Sequence, residues 1–362
     1  MTPTGSRSTS GSGSGHGTPA PDACSVGFDR AGVSAYGTAA RADFFVALEQ
    51  PGPWGRDAAT QSHLPADLGS ALAEACSSRG GRLSLIRRPG RHPDDSHDPA
   101  PAGHTAYLAW AGEQPWLLTG RVADPAVLLD VDLDALARGD RDAVTRSLPG
   151  MAPCPPVLLV CTNGRRDVCC AVRGRPVALD AAAEAPGRVW EASHTGGHRF
   201  APTGVLLPHG ATLARLDATL AGEVLAAAGH GALPLGLLGP AHDRGRSALA
   251  PGAQAAESHV RHLVSEVSLT AFTVTELARV SAPPAGTPAG TPADTASDTP
   301  LDTPDGTPPG AVGTVGSTFE VVHEDGRSWV VQCERLLLAG ELPESCGKHP
   351  VHVSVWDTRV AS

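Results

Sequence analysis

No apolar run in this 362-residue chain approaches the roughly 20 residues that span a bilayer, so no transmembrane helix is expected. The net charge is -10 and the pI about 5.8, so the sequence-wide positive footprint of a nucleic-acid-binding protein is missing. Neither nucleic acid nor membrane is therefore expected as a partner. The N-terminal MTPTGSRSTSGSGSGHG lacks the apolar core of a signal peptide and reads as a flexible tail. That points to the cytoplasm, where clustered cysteines bind metal or do redox work more often than they pair as disulfides. The phosphate-loop pattern G-x-x-x-x-G-K-[ST], the zinc-protease pattern H-E-x-x-H, the hydrolase pattern G-x-S-x-G and a dinucleotide fingerprint are all missing, which disfavours NTPase, zincin and α/β-hydrolase readings. Any reductase domain would have to be a separate protein. Lys, Phe, Tyr and Met are scarce beside Ala, Gly, Arg and Pro, a compositional bias without functional meaning.

What is present concentrates between Cys161 and His198. The segment reads Cys161-TNGRRDV-Cys169-Cys170, then a helical stretch, then His194-TGG-His198, giving C-x8-C followed by H-x3-H. Thiols and imidazoles together select soft or borderline metals, iron in an iron-sulfur cluster or zinc, over magnesium or calcium. The Gly196-Gly197 pair makes a helix through the two histidines unfavourable and lets backbone N–H groups approach sulfur. Asn163 and Thr195 are candidates for outer hydrogen bonds to a centre held here. Arg165, Arg166, Arg173 and Arg175 against Asp167 leave residues 161–175 at net +3, either a docking patch for an acidic partner or a set of ion pairs. Cys24, Cys76, Cys154, Cys333 and Cys346 are too scattered to assign, with core or free thiols the default and a Cys333–Cys346 pair or second site a minor alternative.

The surrounding pattern is α/β. A disordered tail is expected over 1–22, then an N-terminal α/β domain over 23–150, with ADFFVALE and RLSLIRR as strands and ADLGSALAEAC as a helix. A second unit over 151–240 starts with the buried strand PPVLLVC, continues through GRPVALDAAAEA as a helix with Pro176 in its first turn, and closes with DATLAGEVLAAAG as a capped helix. Its β-α-β-β-(β)-α order suits a thioredoxin-like half, with both ligand pairs in loops just outside strand ends. A helical segment over 241–280, a Thr/Pro-rich linker over 281–315 and a β-hairpin appendage over 316–362, signalled by Asp325-Gly326, complete the chain.

The segment CTNGRRDVCCAVRGRPVALD followed by VWEASHTGGHRFAPTGVLLPHG resembles the sucrase/ferredoxin-like family. The resemblance implies a thioredoxin-like ferredoxin domain in which Cys161, Cys170, His194 and His198 hold a 2Fe-2S cluster, with the adjacent Cys169 as a competing ligand. It implies a soluble electron-transfer protein rather than an enzyme with its own substrate site, served by an electron donor or acceptor protein such as a flavin- or NAD(P)H-dependent reductase. The alternative is a zinc-stabilised interaction module without redox activity, although C-x8-C is wider than a zinc knuckle. Thiol-disulfide exchange is disfavoured, because no C-x-x-C opens a helix.

Overall fold

The computed structural model describes residues 19–90, 103–280 and 316–361. The expected tail, apart from residues 19–22, and the whole expected linker over 281–315 lie outside them. Ten strands form one sheet: β1 (Phe44–Glu49), β2 (Gly81–Arg87), β3 (His104–Trp110), β4 (Trp116–Val122), β5 (Ala152–Pro153), β6 (Val157–Cys161), β7 (Val189–Ala192), β8 (Gly204–Leu207), β9 (Ala211–Leu213) and β10 (Asp243–Arg246). The α-helices are α1 (Cys24–Arg30), α2 (Ala66–Ser77), α3 (Leu133–Ala137), α4 (Arg141–Ser147), α5 (Val168–Glu184), α6 (Ala218–Ala228) and α7 (Pro251–Val264). A second, antiparallel sheet contains β11 (Phe272–Val280), β12 (Gly316–His323), β13 (Ser328–Leu342) and β14 (Val351–Val360). No helix among the described residues is long and apolar enough to cross a membrane.

The large sheet runs β10-β9-β8-β6-β7-β2-β1-β3-β4-β5 and contains the same pattern twice. In one half β1 and β2 are parallel, joined through α2, and β3 and β4 follow antiparallel on the other side of β1. In the other, β6 and β7 are parallel, joined through α5, and β8 and β9 follow antiparallel on the other side of β6. The halves meet edge to edge where β2 pairs antiparallel with β7, Ile86 opposite Ala192 and Arg87 opposite Glu191. The division expected near residue 150 is therefore no break in the sheet: β5 still pairs with β4, and the backbone ladder is continuous.

Both faces of the central strands are buried, which explains why FFVALE and VLLVC are continuous apolar runs rather than alternating ones. Phe44, Val46 and Leu48 pack with Leu72 of α2, whereas Leu158 and Val160 pack with Val177 of α5 and Val224 of α6. The opposite faces pack on each other, Phe45 and Tyr107 in one cluster with Leu159 and Trp190. Trp190 Nε1 donates to Tyr107 Oη at 3.1 Å. Strands β7 and β3 are three places apart, so the two side chains lean toward each other across β2 and β1. The helices then cover the two outer faces.

Several sequence expectations are corrected. The 241–280 segment is not helical throughout: it holds β10, α7 and β11. FTVTELARV, rich in Thr and Val, is an extended strand because β12 supplies its backbone partners. The C-terminal unit is accordingly a four-stranded sheet, not a hairpin; Asp325-Gly326 does turn β12 into β13. Helix α5 starts at Val168, well before Pro176, because the Asp167 side chain caps it by accepting from Cys169 N at 2.9 Å. Pro176 lies in its interior.

Candidate metal centre

The early start of α5 decides where the thiols go. Cys161 is the last residue of β6, and Cys170 lies in the first turn of α5, not in a loop. Asn163 organises the connection: its Oδ1 accepts from Arg165 N and Arg166 N at 3.1 and 3.3 Å, and its Nδ2 donates to Gly55 O at 3.1 Å. One turn into the helix, Gly174 faces the strand, where a Cβ would collide with the Cys161 carbonyl oxygen. This close approach of α5 to β6 makes the buried Cys170 thiol a neighbour of Cys161.

The histidines arrive from the end of β7. Gly196 and Gly197 take φ values of 84° and 68°, the left-handed region that favours glycine, and His198 opens a 3-10 turn to Phe200. The loop is held on three sides. Arg244 Nη1 donates to Gly196 O at 2.9 Å, Arg82 Nη2 to His194 O at 3.2 Å, and Thr195 shares a 3.0 Å hydroxyl hydrogen bond with Thr203. The His194 and His198 rings lie 5.9 Å apart, centre to centre. Cys170, the His194 ring and the Thr195 N–H are the polar neighbours that act on the Cys161 thiol. The neighbouring Cys170 does most to hold the Cys161 thiol well below its ordinary range against full burial, and Cys161 in turn raises Cys170. Both sulfurs and His198 are buried, while His194 is half-buried.

Cys169 points elsewhere. Consecutive helix residues project about 100° apart, so when Cys170 faces Cys161 its neighbour faces another side of α5. There Cys169 Sγ meets Cys346 Sγ at 3.2 Å and Cys24 Sγ at 3.6 Å, and Cys346 and Cys24 lie 3.6 Å apart. The Asp167 carboxylate is 3.8 Å from Cys24 Sγ through each oxygen and also accepts from Ser345 Oγ and Cys346 N, both at 2.9 Å. One ligand atom from each of these four residues lies within 4.8 Å of the others. Donation from Cys24, then from Ser25, lowers the Cys169 thiol to about 6 despite its burial, whereas burial pushes Cys346 up to about 11. Asp167 stays below the usual carboxylate range: burial opposes ionisation, but the neighbouring His198 ring, 3.7 Å away, and the N–H and O–H groups that donate to the carboxylate outweigh it.

Sequence reasoning missed Asp167, Cys24 and Cys346 as members of a cluster. The helical angle between Cys169 and Cys170 was an available local signal, but Cys24 and Cys346 are brought in only by tertiary packing. Cys333 does not join Cys346; it is buried in the core of the small sheet. Of the four arginines, Arg173 is tied to Asp29 at 2.7 Å and to Ser25 at 2.9 Å, while Arg165 and Arg175 are exposed.

Two buried thiols from β6 and α5 and two imidazoles from the loop after β7 match the donor types of a 2Fe-2S cluster, and the same donors suit zinc. Searches of curated proteins and of solved structures return no significant match. A family profile described as Sucrase/ferredoxin-like matches residues 35–242, a span that covers both halves of the large sheet up to the start of β10 and includes Cys161, Cys170, His194 and His198. The chain is thus a member of the sucrase/ferredoxin-like family.

Proposed function

We propose that the protein is a one-electron carrier in which Cys161, Cys170, His194 and His198 hold a 2Fe-2S cluster. The observation that carries this reading is that buried Cys161, at the end of β6, has buried Cys170 of α5 and His194 of the β7 loop as its polar neighbours, with the His198 ring 5.9 Å from that of His194. The strand order β7-β6-β8-β9, with β8 antiparallel to the other three and α5 linking the parallel pair, supports reading this half as thioredoxin-like. A bound 2Fe-2S cluster supplies a one-electron couple, and two neutral imidazoles in place of two thiolates set its potential above that of plant-type ferredoxins.

The chain's own residues prepare the site. Burial of Cys161 and Cys170 keeps water from the sulfurs, and the Thr195 N–H stabilises negative charge on Cys161. Gly196 and Gly197 let the loop turn tightly over the end of β6, and Arg244 fixes that turn through the Gly196 carbonyl. His194, half-buried, is the ligand nearest solvent and the natural point of exchange with a partner. Exposed Arg165 and Arg175 suit an acidic donor or acceptor, such as a flavin- or NAD(P)H-dependent reductase.

Replacement of His194 or His198 by Cys tests the assignment. Each variant is expected to retain an iron-sulfur chromophore with a lower midpoint potential in a dye-coupled titration, because a charged thiolate stabilises the oxidised state. An unchanged potential in both variants would remove these histidines from the ligand set.

A further inference from the structure

We propose that Cys24, Cys169 and Cys346, with a carboxylate oxygen of Asp167, form a second metal site that takes one zinc ion and staples three separate parts of the chain. The thiols come from α1, from the first turn of α5 and from the turn between β13 and β14. Cys169 is separated by 145 residues from Cys24 and by 177 from Cys346. Cys24 and Cys346 both lie outside the family-matched span of residues 35–242, so this cluster is an addition that the family match does not cover.

Three features favour a metal over simple packing. Cysteines buried merely as small apolar groups have no reason to place three sulfurs in a triangle with edges of 3.2, 3.6 and 3.6 Å against a carboxylate. Tetrahedral zinc with Zn–S bonds of about 2.3 Å needs S···S distances of about 3.8 Å, so the sulfurs need part by only a few tenths of an ångström. The Asp167 side chain is fully buried, and four donors already orient it: Cys169 N, Ser345 Oγ, Cys346 N and the Cys24 thiol. Three thiolates and one carboxylate give the same total charge as a four-cysteine zinc site, and the soft donors exclude magnesium and calcium. On binding, Zn2+ displaces the protons that the thiols still carry, which pass to solvent, and no oxidant is involved.

The consequence is mechanical. The long β13–β14 arm lies over α1 and the His198–Phe200 turn through Leu338, Leu342 and Val353, which pack with Phe28 and Phe200. A zinc ion at the tip would lock that arm to α5, next to the Asp167–His198 pair that borders the first centre.

The test measures zinc and iron per chain in full-length protein purified under reductant without oxygen. Wild type, Cys24→Ser, Cys346→Ser, Cys161→Ser and a Cys333→Ser control are compared after dialysis against a mild chelator. The expected result is about one zinc per chain in wild type and in Cys333→Ser, with zinc at least about tenfold lower in Cys24→Ser and Cys346→Ser and iron unchanged. Cys161→Ser should lose iron and keep this zinc, so failure of the cluster assignment and failure of the zinc site are read separately. Should a serine variant not fold, wild type loaded with Co2+ answers instead: intense tetrahedral d–d bands with thiolate charge transfer support the site. Wild type without zinc after reloading with Zn2+, zinc retained in Cys346→Ser, a weak octahedral cobalt spectrum, or a Cys169–Cys346 disulfide in the reduced preparation would each overturn it.

Discussion

At the scale of single residues, the site depends on a few positions where no other side chain fits. Gly197 is the clearest: its φ of 68° is left-handed, and a Cβ there would meet the buried Arg244 guanidinium that fixes the loop. Gly197→Ala should therefore cost the about 1–2 kcal/mol of a left-handed residue and displace Arg244 as well. The expected outcome is a lower urea midpoint together with reduced iron content; wild-type values for both would show that the loop tolerates a side chain. Cys169 and Cys170 illustrate a second residue-scale rule. Adjacent in sequence, they serve different neighbourhoods because a helix turns them apart, so a thiol that looks like a competing ligand on paper faces Cys24 and Cys346 instead.

At the scale of elements, the strands around the site were legible because burial on both faces makes β1 and β6 continuous apolar runs, and α2 and α6 showed clear periodicity and boundaries. The start of α5 was not: Pro176 suggested a first turn, but the Asp167 cap at the preceding motif outweighs it. β11 was read as helix because its partner β12 lies beyond a long intervening segment, and a strand's pairing is decided by tertiary contact. The four ligand candidates were legible from spacing and resemblance, whereas the three-thiol cluster depends on contacts across more than 140 residues and had no local signature. The β8–β9 turn carries its own prediction. Burial, with Arg246 adding to it, pushes the His209 imidazole from 6.5 down to about 4. Between those values the unfolded chain binds the proton and the folded one does not, so stability falls as the pH drops through this window, by up to about 1.4 kcal/mol per pH unit. His209→Gln should flatten that part of the urea-measured stability curve; an unchanged slope would contradict the buried, neutral assignment.

At the scale of the whole molecule, one ten-stranded sheet joins two halves of the same strand order, and Cys161, Cys170, His194 and His198 belong to the second. The small sheet is integral to this body rather than a loose attachment. Ala253, Ala256 and Val260 of α7 pack against Phe319, Val321 and Val331, and Phe272 of β11 lies in the same cluster. A chain ended after residue 280 would leave that face and the β11 edge uncovered, and it should elute from gel filtration as aggregate; a soluble monomer of native spectrum would show the sheet to be dispensable. The proposal that Cys161, Cys170, His194 and His198 hold a 2Fe-2S cluster is tested by the absorption spectrum of protein purified without oxygen, with iron, acid-labile sulfide and zinc assayed on the same sample. A bound cluster should give a brown protein with about two irons and two sulfides per chain, bleached by dithionite. A colourless protein without sulfide, whose zinc is lost when Cys161 or His194 is replaced, would contradict it and leave a structural zinc module in its place.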